Sequence, residues 1–514
     1  MEKDNKTDPI RLILLTLALG LGTFIQILDT SIANVSIPFI AGDLGVSPTE
    51  GTWVITSFAI SNAIVLPLTG FLAIRFPATK VFIWSTFLFS ISSLLCGLAW
   101  SLPSLIFFRV IQGASGGVLI PLSQSLLIVN YPKEKKNMAI GIWSTIIIVA
   151  PMLGPIIGGW ITDNYGWRWI FYINIPIGFF SGFLTYTLFK NEKEKTHKMP
   201  LDVVGLGLMI LAIGCMQIVL DKGDQLDWFS SPFIVTLSLI SLASFYFFIP
   251  WNYLSPNPVV DFSCFKYRNF TVGTILAAFG FMLFFGGSVV LLPLWLQTQM
   301  DYTAFLAGLA IAPIGLIPLF FSVTVGKYLH RMDVRWVITV SFLIFAYTFF
   351  WFSGFTTSIS LEQIMLPRFL QGIGVVFYFV PLVVFSLAPI PHDKIASASG
   401  IYSFVRLVAG GGIGTSVFVS LWSRWSAYYQ ARIMEALNFD VVTNYFKDLG
   451  LLGSDKDATF LMLNQIVNRQ ASMLSLNDLF YISGWMFLIL IIPLWFCNKS
   501  TPPESMQDEP LLLE

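Results

Sequence analysis

Long apolar runs, separated by short polar connections, govern the chain from end to end. Fourteen reach the ~20 mainly apolar residues that a spanning helix needs. They fall near 12–40, 52–73, 81–100, 103–129, 138–162, 169–189, 202–220, 232–250, 270–296, 303–326, 335–354, 362–388, 397–422 and 478–497. The short alternating segments of a membrane β-barrel do not occur in the sequence. The pattern predicts an all-α integral membrane protein with 14 transmembrane helices.

The connections give the orientation. Lys and Arg gather in alternate loops, which marks the cytoplasmic side. With the N-terminus inside, those segments hold "KDNK" with Arg11, Arg75 and Lys80, "KEKK", "KNEKEKTHK", Lys266 and Arg268, Lys327, Arg331 and Arg335, Lys394, and Lys499. The short outer loops hold only Arg168 and Lys222. Both termini are expected in the cytoplasm. Residues 423–477 form one long outer connection whose five positive residues balance five negative ones. Long loops cross regardless of charge, so the orientation stands. Within it "WSRWSAYYQARIMEALN" and "ATFLMLNQIVNRQASML" carry apolar residues three and four apart, which predicts a helical hairpin. Such a hairpin either packs as a lid on the protein's own outer face or offers a docking surface.

Composition agrees. Of 514 residues, 55% are hydrophobic and 11% charged, with 48 Phe and 16 Trp; soluble domains carry about 25% charged residues. Lys+Arg and Asp+Glu both number 29, so no net field points to nucleic acid or an acidic partner. Cys96, Cys215, Cys264 and Cys497 lack metal or redox spacing and read as packing thiols. The first apolar run is too long for a signal peptide and should stay as a helix. The sequence holds no nucleotide-binding P-loop, metal-spaced histidine cluster or nucleophile elbow, so neither an enzyme nor a metal site is expected. The tail "QDEPLLLE" reads as a solvated end.

An internal repeat organises the spans. "RVIQGASGG" from Arg109 matches "RFLQGIGVV" from Arg368 at an offset of 259, and "GIWS" from Gly141 matches "GIYS" from Gly400 at the same offset. Helices 1–6 and 9–14 are therefore duplicated bundles, with helices 7 and 8 between them. The organisation expected is a cytoplasmic N-terminus (1–11), an N-terminal six-helix bundle (12–190) and a linker with two additional helices (191–260). C-terminal bundle helices (261–422), the outer hairpin (423–477), the last span (478–497) and a cytoplasmic tail (498–514) follow. Duplicated halves around a central path, with a midplane substrate site, are the architecture of secondary transporters.

Asp29, Arg109, Arg368 and Arg406 are ionisable residues placed well inside spans. A charge at a helix centre costs ~2.5–3.5 kcal/mol, so such residues face polar interiors and serve function. Asp29 is the carboxylate among them, and all three histidines fall in loops. Burial favours the neutral form of a carboxylate and a nearby arginine favours the charged form. An Asp29 whose neighbours change during a transport cycle would bind and release a proton; the alternative is an aspartate permanently hydrogen-bonded to neighbouring helices. Arg109 either joins the coupling or locks helices through backbone carbonyls. Arg368, read near the outer end of its helix, would snorkel outward. Arg406 beside a glycine run suits a cavity or gate. The segment "APMLGPIIGG", Ala150 to Gly159, predicts a thin, kinked helix against which a neighbour slides.

These motifs carry a resemblance. "LIFFRVIQGASGG" is similar to the helix-4 motif of the major facilitator superfamily, with Ser115 at a usual glycine. "GIWSTIIIVAPMLGPIIGG" resembles the helix-5 motif of its drug/proton antiporters through Gly141, Gly154, Pro155, Gly158 and Gly159, with Ala150 at another glycine. "LDTSIANVSIP" is similar to the helix-1 motif of the fourteen-helix antiporters, with Asp29, Asn34 and Pro38 in place. "GFLAIRFPATK" resembles the loop 2–3 motif at Gly70, Leu72, Ala73 and Arg75, with Ile74 in the aspartate position and Pro77 at the second glycine.

The resemblance implies a major facilitator fold of two six-helix bundles with two helices between them. It implies proton-driven export of hydrophobic or amphipathic toxic compounds by alternating access across a bacterial inner membrane, with the proton as coupling ion and no cofactor. A periplasmic membrane-fusion adaptor would contact 423–477 and lead to an outer-membrane channel. Asp29 would couple protons; Asn34, Arg109, Gln112 and Arg406 would serve cavity and gating; Trp53, Phe281, Phe284, Phe285, Trp295, Phe377 and Tyr378 would offer drug contacts, or else packing or lipid-facing bulk. The alternatives are transport of one dedicated metabolite, such as a siderophore or lipid, and a membrane receptor or scaffold that transports nothing.

Overall fold

The computed structural model describes residues 9–132, 135–190, 200, 202–256, 258–437 and 456–499. The spans are helices α1 (Pro9–Asp43), α2 (Trp53–Arg75), α3 (Ala78–Gly97), α4 (Leu102–Asn130), α5 (Lys136–Tyr165), α6 (Trp169–Phe189) and α7 (Val203–Lys222). They continue as α8 (Pro232–Leu254), α9 (Arg268–Gln299), α10 (Leu306–Tyr328), α11 (Val334–Phe352), α12 (Leu361–Leu387), α13 (His392–Ala436) and α14 (Met462–Trp495). Thirteen are long and apolar enough to cross a membrane as they stand, and α5 makes the fourteenth as a pair bent by 45° between Pro151 and Ile156. The bend has a local cause, since Pro151 and Pro155 both remove backbone donors from the helix ladder.

The repeat is written into local structure as well. Helix α4 starts from a capping box of Ser101 with Ser104, and α12 starts from one of Ser360 with Gln363, again at the offset of 259. Each half packs around these helices. Glycines make the close approaches, as small residues do in membrane bundles. A Cβ at Gly113 would lie 2.3 Å from the Phe58 carbonyl oxygen of α2, and one at Gly372 would lie 2.7 Å from the Ile314 oxygen of α10. Phenylalanines fill the rest of the C-terminal half: Phe345, Phe349, Phe352, Phe480 and Phe487 form a buried chain of tilted and edge-on rings, each pair worth ~0.5–1.5 kcal/mol beyond burial.

The halves meet closely at the end carrying Arg75 and Lys327, which the charge bias assigns to the cytoplasm and which is called the inner end below. There Gly70 of α2 sits on Ser397 of α13, Gly400 of α13 on the Leu66 carbonyl, Gly141 of α5 on the Ser322 carbonyl of α10, and Gly326 of α10 on the Asn137 carbonyl. Every one of these four places would put a Cβ within 2.8 Å of the opposite half.

One expectation is refined and one needs correction. Where described, the two segments expected as the outer hairpin are helical, and each is continuous with its span. Helix runs unbroken from the α13 span to Ala436, and the last helix begins at Lys456, more than twenty residues before the expected start of its span. At 1.5 Å per residue, the 34 residues of Lys456–Ile489 are about 51 Å long, against ~30 Å of bilayer hydrocarbon. The two arms stay paired, with Trp422 donating to the Ser472 carbonyl at 3.0 Å and Gln430 donating to Asn464 at 3.2 Å. Residues 438–455 of the expected hairpin lie outside the described residues. Arg368, expected to snorkel, is instead fully buried at 0% exposure.

Beyond its candidate span, Pro9–Asn34, α1 continues to Asp43 and is tied there to the loop after α5. The Trp167 indole and the Arg168 guanidinium both donate to Asp43, at 3.0 and 2.6 Å, and hold its carboxyl below the ordinary range. The tie is complete above the ordinary carboxylate pKa and is lost as pH falls through the lowered folded value.

Candidate transport and coupling site

Asp29 does not face an open path. At 2% exposure it lies inside the N-terminal half, where five helices converge on it. Arg109 of α4 donates to its Oδ2 at 2.5 Å. Its Oδ1 accepts from Gln112 Nε2 at 3.1 Å and from Asn174 Nδ2 of α6 at 2.7 Å. Arg109 also donates from Nε to the Val54 carbonyl of α2 (3.0 Å) and from Nη1 to Gln112 Oε1 (2.8 Å), its Nη2 has no partner, and the Phe58 ring centre lies 4.3 Å from the guanidinium carbon. Helix α3 closes the network through Cys96, which donates to Gln112 Oε1, and Ser93, which accepts from Asn174 at 3.1 Å. Arg109 thus locks onto a backbone carbonyl, one of the two readings the sequence left open, and is the ion-pair partner of Asp29.

Asn174 is the residue that sequence reasoning passed over. It lies within "WRWIFYINIPIG", and an uncharged amide in an apolar run gives no signal until its partner is known. The second half gives a further lesson. Arg368 and Gln371 occupy the places of Arg109 and Gln112, and the residue 259 after Asp29 is Ser288. Arg368 donates to both the hydroxyl and the carbonyl of Ser288, Gln371 Oε1 accepts from Ser288 at 2.7 Å, and Arg368 Nη1 donates to Gln371 at 2.8 Å. The two halves therefore hold the same constellation, with a carboxylate in one and a hydroxyl in the other. Applying the repeat offset to Asp29 would have found it.

The remaining candidates separate by position. Asn34 lies five residues after Asp29, about 140° round the helix, and is exposed rather than part of the network. Gly154 and Gly158 of α5 seat on Ser31 and Ile32 of α1, whereas a Cβ at Gly159 would meet nothing within 4 Å, so that glycine makes no close contact. Pro155 lies at the α5 bend, between the two arms of the helix. Gly70 belongs to the inner seam, and Arg75 beside it lies over the rings of Phe71 and Phe76, 6.0 and 5.8 Å from their centres. Among the proposed drug contacts, Trp295, Tyr378 and Phe284 are buried in the C-terminal core, Tyr378 donating to the Ala277 carbonyl at 2.6 Å. Phe285 and Phe377 are half-buried, and Phe285 stacks on Phe281 at 5.1 Å. Trp53 is held by Lys222, whose ammonium lies 5.0 Å from the ring centre.

That last contact belongs to a bridge made by the inserted helices. The outer end of α7 reaches the N-terminal half where Lys222 donates to Thr52 before α2. It reaches the C-terminal half where Ser416 of α13 donates to the Leu220 carbonyl at 2.5 Å, and where Ser420 donates to Asp224 (3.0 Å) and accepts from Trp228 (3.1 Å). The end of α7 and the loop after it thus link the outer ends of both halves. Replacing Ser416 and Ser420 together by alanine removes three hydrogen bonds, each worth ~0.5–1.5 kcal/mol, and is expected to raise cross-linking access at the outer end without lowering folded yield. Cysteine accessibility along α2 measures it.

The sequence profile described as Major Facilitator Superfamily matches residues 19–415. The chain belongs to the major facilitator superfamily. Among superfamily proteins it is 44% identical over 508 residues to the multidrug export protein EmrB of Haemophilus influenzae, covering 98% of this chain and 99% of that one. It is 43% identical over 485 residues to the fatty acid resistance protein FarB of Neisseria gonorrhoeae, covering 94% and 95%. The solved proton:xylose symporter XylE shares the fold, with a TM-score of 0.58 at 14% identity over 96% of this chain and 97% of its own.

Proposed function

We propose that this protein exports hydrophobic or amphipathic toxic compounds from a bacterial cell in exchange for protons, by alternating access to a path between its two halves. The observation that carries the reading is the buried Asp29–Arg109 pair, set in a chain that matches a multidrug export protein along nearly its whole length. A proton that lands on Asp29 cancels one member of an ion pair and leaves Arg109 charged in the interior. Removing one partner of such a pair costs ~3–5 kcal/mol unless the other finds new acceptors. The acceptors Arg109 already holds on α2 and α4, the Val54 carbonyl and Gln112, are neutral, so protonation presses those helices to shift and bring further acceptors to it. Release of drug then follows protonation from the outer side, and loss of the proton inside restores affinity. Each proton moved inward adds ~2.3 kcal/mol per 100 mV of membrane potential.

The charge bias supports an inner-membrane protein with both termini in the cytoplasm. The half-buried rings of Phe285 and Phe377 supply polarizable walls for varied drugs. The paired arms of α13 and α14 beyond the bilayer suit a periplasmic membrane-fusion adaptor leading to an outer-membrane channel. A groove of about 310 Å³ between those arms, lined by Trp425, Tyr428, Tyr429, Asp478, Tyr481 and Ile482, gives aromatic surface for such a contact.

Purified protein in liposomes is expected to release protons on addition of several unrelated drugs, and a strain lacking it is expected to be hypersensitive to all of them. Hypersensitivity to one compound alone would favour the dedicated-metabolite reading, and drug addition without proton movement would sink the exchange scheme.

A further inference from the structure

The three buried arginines are served unequally. Arg109 has Asp29, and Arg368 has Ser288 and Gln371, each arginine leaving a single buried nitrogen unpartnered. Arg406 of α13 is 1% exposed, yet its Nε and Nη1 have no hydrogen-bond partner. Around its guanidinium stand the rings of Phe281, Phe379 and Tyr402, centred 5.7, 5.6 and 5.7 Å from the carbon. Aromatic faces attract a cation but leave its N–H donors unmet and its charge uncancelled.

Arg406 is also not isolated in its want of partners. Ser399, Ser403 and Arg406 are spaced i, i+4 and i+7 and so share one helix face, and both serine hydroxyls are buried without partners. Helix α4, packed against this part of α13, adds Gln124, whose amide oxygen and nitrogen are buried and unpaired. Buried polar groups are normally satisfied, so this concentration calls for an explanation. Just after Arg406 the helix turns π over Val408–Gly414 and packs on a second π stretch, Met282–Leu291, which carries Phe284 and Phe285. Such turns recur at functional sites. Gly400, on the same stretch of α13 as the two serines, seats on Leu66 of the opposite half, so parting that seam opens the stripe toward the path between the halves.

The donors and the walls together define a ligand. A guanidinium with two hydroxyls fits a carboxylate or similar oxyanion, and the rings of Phe281, Phe285 and Phe379 fit an apolar tail. We propose that Arg406, Ser399 and Ser403 form the headgroup subsite for an anionic amphiphile, a substrate class within the export reading, on which this inference rests. The arginine binds the anion, the serines orient it, and the aromatic cluster takes the tail.

The test compares two amphiphiles of equal tail length and opposite charge, dodecanoate and dodecyltrimethylammonium. Their binding to full-length protein in nanodiscs is measured by calorimetry, and their proton-driven uptake in inside-out vesicles by radiolabel. Arg406→Gln is expected to weaken dodecanoate binding about tenfold or more, the fold-change of a lost charge-assisted bond. It should leave the ammonium amphiphile within about twofold, an effect below one ordinary hydrogen bond, with Arg406→Lys falling between. Wild-type protein that binds no dodecanoate, or Arg406→Gln that binds both amphiphiles as wild type does, overturns the proposal. Equal loss of both amphiphiles in a folded Arg406→Gln assigns the arginine to structure and overturns it too. Should Arg406→Gln not fold, the Ser399→Ala/Ser403→Ala double variant keeps the charge and must still weaken dodecanoate selectively. Wild type that moves neither amphiphile into vesicles sinks the export reading instead, while the binding data still decide this one.

Discussion

Exchanging Asp29 for asparagine should leave a protein that reaches the membrane, holds its fold and no longer moves protons when drug is supplied. Asp29 accepts three hydrogen bonds, from Arg109, Gln112 and Asn174. Asparagine keeps the shape but offers one acceptor and one donor group in place of two acceptors. The Oδ1 of Asn174, buried and unpaired, can take the new N–H if its amide turns over, so part of the loss is recovered. What is not recovered is the charge opposite Arg109. Stability should fall by at most ~3–5 kcal/mol, the cost of stranding one member of a buried pair. Drug-dependent proton flux should fall to background. Asp29→Ser is the sharper variant, because Ser288 already shows a serine accepting a buried arginine at the matching place in the second half. It should fold better than Asp29→Asn and be equally uncoupled. Flux in liposomes read beside thermal unfolding separates the two effects, and full proton exchange in either variant would remove Asp29 from the mechanism.

A second large effect is expected from Gly70→Val. A Cβ there would lie 2.6 Å from the Ser397 Cα, in backbone that cannot swing aside. Overpacking a tight contact costs ~1–3 kcal/mol, and that cost falls on whichever state closes the inner end. A shift of roughly 5–150-fold toward the state with the inner end apart follows from that energy. Each half should fold normally, since the contact lies between halves, yet turnover should fall in proportion. Spin-label distances between the inner ends of α2 and α13 would show one long population where the parent protein shows two. An unchanged distance distribution with unchanged export would mean that the seam does not open during transport.

Much of the fold was legible because a membrane leaves the chain few options. Backbone polar groups must be satisfied within each span, so apolar length alone located fourteen helices. The repeat offset was equally visible, because Arg109 with Arg368 and Gly141 with Gly400 keep identical spacing. Three things were hidden, each for a physical reason. The continuity of the 423–477 arms with the last two spans was hidden, because the apolar pattern ends where the bilayer does while the helix ladder runs on. The depth of Arg368 depended on a hydroxyl acceptor, which stands apart from other serines in apolar runs only once the repeat offset is applied to Asp29. The aromatic candidates could not be sorted, because a phenylalanine in a core, in lipid or in a cavity obeys the same composition rule. Asp29 and Arg109 were found, but not that they would be found together.

The serine at 288 has a consequence for the electrical character of the cycle. With an acid in one half and a hydroxyl in the other, the duplicated constellation supplies one carboxylate, and for the exchange proposed above, run with one proton per turn, the cargo sets the electrical character. Expelling a monovalent cation against that proton would transfer no net charge and feel only the pH gradient. Expelling a monovalent anion would carry two charges in the same electrical sense, gaining ~4.6 kcal/mol per 100 mV from voltage. The same machine would then run electroneutrally on one class of cargo and electrogenically on the other.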